Sequence, residues 1–117
     1  MTTTLDLTAA NNATWSCEPV QLLDGDIPAA LPDGSKVKMQ LRPSPDSVIV
    51  SLELTRDNGR LVLVDHATST FKVEVPVDAM KGLQAGEYPY DIVIEYPSKR
   101  VLRPVSGTVA IVQGVTR

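Results

Sequence analysis

The sequence has few of the side chains on which chemical sites are built. It contains one histidine, one cysteine and five aromatic residues among its 117 residues. Cys17 and His66 together cannot form a four-ligand zinc site of nitrogen and sulfur donors. Catalysis normally needs a base, an acid or a nucleophile held beside an orienting partner. The composition therefore predicts a protein that is not an enzyme, with no catalytic residues, no metal site and no cofactor.

An excess of charge of one sign and long apolar runs are also missing. Eleven Lys and Arg against fourteen Asp and Glu give a net charge of −3, so no long-range attraction to phosphate backbones or anionic lipids is expected. Apolar runs are short, such as Leu61 to Val64, whereas a spanning helix needs about twenty residues. Residues 1–6 lack the basic and apolar regions of a secretory signal. We expect no nucleic acid and no membrane partner, and synthesis in the cytoplasm of the cell that makes the protein.

The single Cys and the single His both have a simple structural interpretation. Cys17 has no partner for an intrachain disulfide, and a lone Cys among apolar neighbours is usually a small core residue. His66 lies in a short polar segment between two predicted strands. We expect it to be an exposed turn residue and not a general base.

Alternation of apolar and polar residues is the strongest pattern that is present. Between Lys36 and Arg42 every odd position is apolar. This alternation is typical of a strand with one solvent-exposed face, because successive strand side chains point to opposite faces. The same period recurs at 48–54, 71–75, 88–96 and 109–111. It predicts that the following residues are buried: Val37, Met39, Leu41, Val50, Leu52, Phe71, Val73, Tyr90, Ile92, Val109 and Ile111.

Turn signals separate these runs at the spacing of antiparallel connections. Asn58-Gly59 is the sharpest, since both residues tolerate the positive φ of a type I′ turn, and it predicts a hairpin between residues 47–56 and 60–65. Residues 19–35 predict a longer loop with a short strand around Val20 to Leu23. Only Val77 to Leu83, after Pro76, predicts a helical turn.

A chain with many strands and so little helix needs two packed sheets or a small barrel, because the apolar faces of its strands must be covered. We predict an all-β fold, a single immunoglobulin-like antiparallel β-sandwich of about 6–9 strands with at most one short helical turn. Residues 1–117 are expected to form one domain, since a chain of this length can bury roughly two thirds of its unfolded surface.

Three polar groups are interpreted as surface features. Glu87, Asp91 and Glu95 share one strand face, but positions four apart are separated by roughly 13 Å, too far for a glycosidase pair. The turn 24–26 lacks the further acidic ligands of a calcium loop. The short basic cluster at 99–103 is set among acidic residues and predicts no phosphate site.

The segment from Leu83 to Ile92 combines a glycine turn with an aromatic-rich strand. Sandwich domains often enter a late strand in this way, with a Tyr whose ring is buried and whose hydroxyl ties the incoming loop, the tyrosine corner of immunoglobulin-type domains. Either Tyr88 or Tyr90 is a candidate for this role.

The order of motifs resembles that of small immunoglobulin-like structural proteins of tailed phages and prophages, and is similar to the amino-terminal domain of upper baseplate proteins. The resemblance runs through most of the chain. It rests on the segments 5–8, 37–41, 71–76, 83–92 and 106–111, which begin with Leu5-Asp6-Leu7-Thr8 and include Leu83-Gln84-Ala85-Gly86-Glu87-Tyr88.

The resemblance implies a virion component of the tail, baseplate, neck or head decoration, located in the virion and acting through protein-protein contacts. Other virion proteins are the expected partners, with a homo-oligomer or repeated copies in an assembly. The same Leu-x-Ala-Gly-x-Tyr pattern occurs in bacterial immunoglobulin-like modules, so a bacterial adhesin or carbohydrate-binding module is the alternative. A small hydrolase is a third possibility, which the missing catalytic groups disfavour. Residues 1–8 and 112–117 are the expected contact segments, because strand edges and termini can be ordered by a neighbour.

Overall fold

The computed structural model describes residues 3–115, which form twelve strand segments and one short helix. Seven of these strands have four residues or more. The predicted all-β sandwich with one helical turn is therefore confirmed. The elements are β1 (Thr3–Thr4), β2 (Leu7–Ala10), β3 (Trp15–Ser16), β4 (Val20–Gln21), β5 (Leu23–Asp24), β6 (Ile27–Pro28), β7 (Lys36–Leu41), β8 (Leu52–Thr55), β9 (Leu61–Asp65), β10 (Thr70–Val75), α1 (Val77–Met80), β11 (Gly86–Glu95) and β12 (Val101–Val112).

The first sheet is built around the long hairpin of β11 and β12. The strand order is β1-β12-β11-β7-β8, and β2 continues the edge that β1 begins on β12. β7 and β8 are antiparallel to their neighbours, with Met39 opposite both Ile92 and Leu54. β1 and β2 instead run parallel to β12. The amino-terminal segment thus forms one edge of this sheet.

The second sheet has β10 at its centre. β3 and β4 pair with one side of β10 and β9 pairs with the other, all antiparallel. β5 and β6 form a separate small hairpin, so the short strand predicted around Val20 to Leu23 is present as β4 and the start of β5.

Apolar side chains from both sheets meet in one core. Ten of the eleven predicted core residues are buried, and Met39, Leu41 and Val109 have no exposed surface. The exception is Val50, which is only half-buried. Burying it was a wrong prediction, because β8 begins at Leu52 and the alternation at 48–50 falls in a loop.

The predicted hairpin between 47–56 and 60–65 is wrong. β8 pairs with β7 in the first sheet, while β9 pairs with β10 in the second, so residues 56–60 cross between the sheets. Gly59 has the expected positive φ of 78°, but Asn58 is not among the positive-φ residues. The Asn-Gly signal specifies a local turn, whereas burial of apolar faces decides which strands become neighbours.

The predicted helical turn is confirmed as α1, which follows Pro76 and buries Met80. Pro76 has no backbone N–H that would need a partner, and its carbonyl accepts hydrogen bonds from the N–H groups of Ala79 and Met80. The turn closes the end of the sandwich between β10 and β11.

Candidate functional site

Tyr88 and Tyr90 fix two different segments. The Tyr88 hydroxyl donates to the carbonyl of Gln84 at 2.7 Å, four residues earlier, which is the tyrosine-corner arrangement. The Tyr90 hydroxyl donates to the carbonyl of Leu5 at 2.6 Å, 85 positions away. Of the two candidates, Tyr88 therefore makes the corner, and Tyr90 ties the first strands to the sheet. The role of Tyr90 was not predicted, because no local pattern indicates so distant a partner.

The residues between β1 and β2 are held against β12 by close packing. Thr108 donates its backbone N–H to the Asp6 carboxylate at 3.1 Å, and Leu5 donates to the carbonyl of Ser106 at 2.9 Å. A Cβ at Gly107 would collide with the backbone of Leu5. Burial, and then the nearby Asp6 charge, raise the pKa of Tyr90 well above its usual value. The amino-terminal segment is therefore an integral part of this sheet.

A polar groove of about 460 Å³ lies on the outer face of the first sheet. Residues at paired positions of β7, β11 and β12 point outward from the sheet, so their side chains meet in this groove. We call it the outer-face groove. Its lining residues include Asp6, Gln40, Arg42, Asp91, Arg103 and Thr108.

Hydrogen bonds and ion pairs order the outer-face groove. Arg42 donates through Nη2 to Gln40 Oε1 at 2.8 Å, and Gln40 donates through Nε2 to Glu53 Oε2 at 2.6 Å. Arg103 Nη1 lies 3.8 Å from Asp91 Oδ2. The lining has two Arg and two Asp side chains, so it offers paired donors and acceptors without a strong net field. Such a lining suits a neutral polar ligand better than a phosphate.

The β7–β8 connection, residues 42–51, is an ordered loop with an apolar tip. Arg42 donates through Nη1 to the carbonyl of Ser47 at 2.7 Å, and Ile49 donates its N–H to Ser47 Oγ at 3.1 Å. Ser51 closes the base of the loop by donating to the carbonyl of Leu41 at 2.7 Å. Val48 is 91% exposed and Ile49 67%. The loop presents two adjacent apolar side chains to solvent from a fixed base.

Asn11 joins three segments at the opposite end of β12. Its Nδ2 donates to the carbonyl of Leu83 at 3.1 Å and to Gln113 Oε1 at 3.3 Å, and its Oδ1 accepts from the N–H of Gly114 at 2.9 Å. These contacts order residues 113 and 114 against the amino-terminal edge. Of the predicted contact segments, 3–8 and 112–114 are thus held within the fold, whereas residues 1–2 and 116–117 lie outside the described residues.

Cys17 and His66 have the predicted structural positions. Cys17 is half-buried against the core, and burial raises the pKa of its thiol, which disfavours the nucleophilic thiolate. His66 is exposed in the β9–β10 turn, with Nε2 at 3.1 Å from the carbonyl of Leu31. The structure brings neither residue to the outer-face groove.

The carboxylates of β11 lie on the outer face, as predicted. Asp91 pairs with Arg103, and Glu95 pairs with Lys38 at 2.7 Å, each across to a neighbouring strand. The hydrogen bond and charge of Lys38 lower the pKa of Glu95. Glu87 is exposed. Their common parity was visible in the sequence, but the convergence of Asp91 with Gln40 and Arg42 depends on the strand order.

The acidic turn and the basic cluster meet at one end of the molecule. Asp24, in the β5–β6 hairpin whose turn contains Gly25 at φ 69°, lies 3.3 Å from Arg100 Nη2. Arg100 also covers the ring of Tyr96 at 5.7 Å. Within residues 3–115, no group of three or more His, Cys, Asp or Glu side chains is arranged to hold a metal ion.

The chain matches no known protein family, and no curated protein is significantly similar to it. In the part of the chain that the structure describes, no helix has the length and apolar character to cross a bilayer.

Proposed function

We propose that this chain is a non-enzymatic structural protein of a bacteriophage particle, placed in the tail, baseplate, neck or head decoration and acting through contacts with other virion proteins. The order of motifs, including Leu83 to Tyr88 before an alternating strand, supports the phage class by resemblance. The apolar tip of the β7–β8 loop supports action by contact.

The exposed pair Val48 and Ile49 carries the contact proposal. Burying a Val or Ile side chain at an interface gains about 1.5–3 kcal/mol relative to leaving it in water. Hydrogen bonds from Arg42 and Ser51 already fix the base of the loop, so a partner has less conformational entropy to remove on binding. An ordered loop with an exposed apolar tip fits a docking element better than an accidental surface feature.

Incorporation of a loop variant into particles tests this proposal. Particles are purified from the strain that encodes the chain, and the chain is quantified in them by mass spectrometry. Val48→Ser with Ile49→Ser should reduce the incorporated amount while leaving the thermal midpoint unchanged. Val101→Ser is the control, because Val101 is also exposed, at 61%, but lies outside the loop. Absence of the wild-type chain from purified particles would contradict the phage assignment, and normal incorporation of the double variant would contradict the role of the loop.

The outer-face groove favours a second candidate, the adhesin or carbohydrate-binding module. The Arg, Asp, Gln and Thr side chains of its lining can together donate hydrogen bonds to sugar hydroxyls and accept hydrogen bonds from them. A glycan array with the purified chain should then give a hit that Asp91→Asn removes. Glu87→Gln is the matched control, since Glu87 is on the same strand but not in the lining. An array without a hit argues against this candidate.

A further inference from the structure

Asn58 and Gly59 form the one Asn-Gly pair of the sequence, and they lie in the crossing between β8 and β9. The chain has two other asparagines, Asn11 and Asn12, and neither precedes a glycine. An Asn-Gly pair is reactive, because the glycine has no side chain that hinders the attack of its backbone nitrogen on the preceding amide. The turn therefore contains the components of a covalent reaction in addition to its structural role.

The reaction is an intramolecular displacement, which is favoured because both groups belong to adjacent residues. The backbone nitrogen of Gly59 loses its proton to a base in solution and attacks Cγ of Asn58. The new N–Cγ bond closes a cyclic succinimide, the Cγ–Nδ2 bond breaks, and the amide nitrogen takes up a proton and leaves as ammonia. Water then opens the ring at either carbonyl, which gives aspartate or isoaspartate at position 58.

In the folded chain, hydrogen bonds hold both reacting groups. The N–H of Gly59 donates to the carbonyl of Arg56 at 3.2 Å. The Asn58 amide is bonded to β8, since Oδ1 accepts from the N–H of Thr55 at 2.9 Å and Nδ2 donates to the carbonyl of Glu53 at 3.1 Å. Ring closure turns the amide toward the Gly59 nitrogen and breaks these bonds, so the turn has to open first.

The crossing can open without unfolding of the core. Residues 56–60 belong to no strand, and Asn58 and Gly59 are exposed. Exposed connecting segments open locally at a lower free energy than that of global unfolding. The exposure also gives water and base direct access to the amide of Asn58.

We propose that Asn58 is a site of spontaneous deamidation, and that local opening of residues 56–60 sets its rate in the folded chain. The product places a carboxylate where the amide of Asn58 donates to the carbonyl of Glu53. Isoaspartate also inserts an extra carbon into the backbone of the turn. The modified chain is therefore less stable than the unmodified one. The reaction does not depend on the phage assignment, because it is a property of the purified chain.

Peptide mapping by mass spectrometry measures the modification at each asparagine. The purified chain is incubated at mildly alkaline pH, either folded or unfolded in guanidinium chloride. Asn58 should be modified faster than Asn11 and Asn12 in the unfolded chain, and at least about tenfold more slowly in the folded chain than in the unfolded one. The proposal is overturned if Asn58 is no faster than the other two, if folding does not slow it, or if the folded chain gains no product.

Thr55→Val separates local opening from the chemistry. The Thr55 hydroxyl accepts from the backbone N–H of Asn58 at 3.0 Å. Its loss should raise the rate in the folded chain at least about threefold and leave the rate in guanidinium chloride unchanged. Thr70→Val is the matched control, since Thr70 is also half-buried and its hydroxyl is bonded to that of Thr68 at 2.7 Å, but it lies in β10. An unchanged rate in Thr55→Val, or an equal rise in Thr70→Val, overturns the role of local opening.

Urea melts of the modified chain test the effect of the product. Anion-exchange chromatography separates this chain, because deamidation adds a negative charge. Its unfolding midpoint should lie below that of the unmodified chain, and Asn58→Asp shows how much of the decrease comes from the carboxylate alone. An unchanged midpoint overturns the effect on the turn. Virion incorporation and glycan binding play no part in these experiments, so the failure of either leaves these results separate.

Discussion

At the scale of single residues, Tyr90 and Gly107 both stabilise the contact between the backbone of Leu5 and the first sheet. They are register partners in β11 and β12, and both meet the backbone of Leu5. Tyr90 supplies a hydrogen bond to the carbonyl of Leu5, while Gly107 leaves the space in which that backbone lies. A glycine in a strand interior weakens the strand unless another backbone approaches closely, as it does here.

Because the pKa of Tyr90 is raised, the free energy of unfolding is expected to fall at alkaline pH. Because its folded-state pKa lies above the unfolded value of about 10, the folded state holds the hydroxyl proton more tightly. The resulting stability is fully present below pH 10 and is lost as the pH rises through the folded-state pKa. Tyr90→Phe should lower stability at pH 7 by about 1 kcal/mol, and this deficit should shrink above pH 10.

Urea unfolding of both proteins at pH 7 and above pH 10 measures that difference. The wild type is expected to lose more stability than Tyr90→Phe on raising the pH. Parallel pH curves would show that the hydroxyl is not held protonated by the fold.

At the scale of elements, Asn58 determines how β8 ends and the chain crosses to the second sheet. Its Oδ1 accepts from the N–H groups of Thr55 and Arg60 at 2.9 and 3.0 Å, and its Nδ2 donates to the carbonyl of Glu53. Asn58→Ala removes all of these bonds together. We expect a loss of about 1–2 kcal/mol in a chemical melt.

Asp57→Ala is the control for this prediction, because Asp57 is the exposed neighbour in the same turn. Its effect should stay within about 0.5 kcal/mol. Equal losses from the two substitutions would mean that the turn is stabilised by its backbone alone.

The elements also show what could be predicted from sequence. Strict alternation located β7, β10 and β11 and nearly all of the predicted core, because one face of each strand must be buried. Local patterns could not assign partners, so the Asn58-Gly59 turn was interpreted as a hairpin although it connects two sheets. The outer-face groove was missed for the same reason, since Gln40 and Asp91 become neighbours only through the pairing of β7 with β11.

At the scale of the whole molecule, the outer-face groove and the apolar tip of the β7–β8 loop are neighbours on the sandwich. The outer-face groove belongs to the first sheet, and the apolar tip belongs to the loop that connects β7 and β8 of that sheet. Arg42 lines the groove and also donates to the carbonyl of Ser47 in the loop, so a substitution of Arg42 should affect both, whereas Val48 and Ile49 lie outside the lining.

The amino-terminal segment closes the first sheet, and its removal should affect the whole molecule. Deleting residues 1–4 removes the short pairing of Thr3 and Thr4 with β12, and we expect the loss of stability to stay below about 1 kcal/mol. Deleting residues 1–8 also removes the acceptor of the Tyr90 hydroxyl and the carboxylate of Asp6, and it opens the edge of β12. We expect this longer deletion to cost about 3 kcal/mol or more, because it also removes Leu5 and Leu7, which pack against the core, and to promote association through the exposed edge. Urea melts and light scattering of the two deletions measure both effects. Equal stability and equal solubility of the two variants would contradict the anchoring role of Leu5 and Asp6.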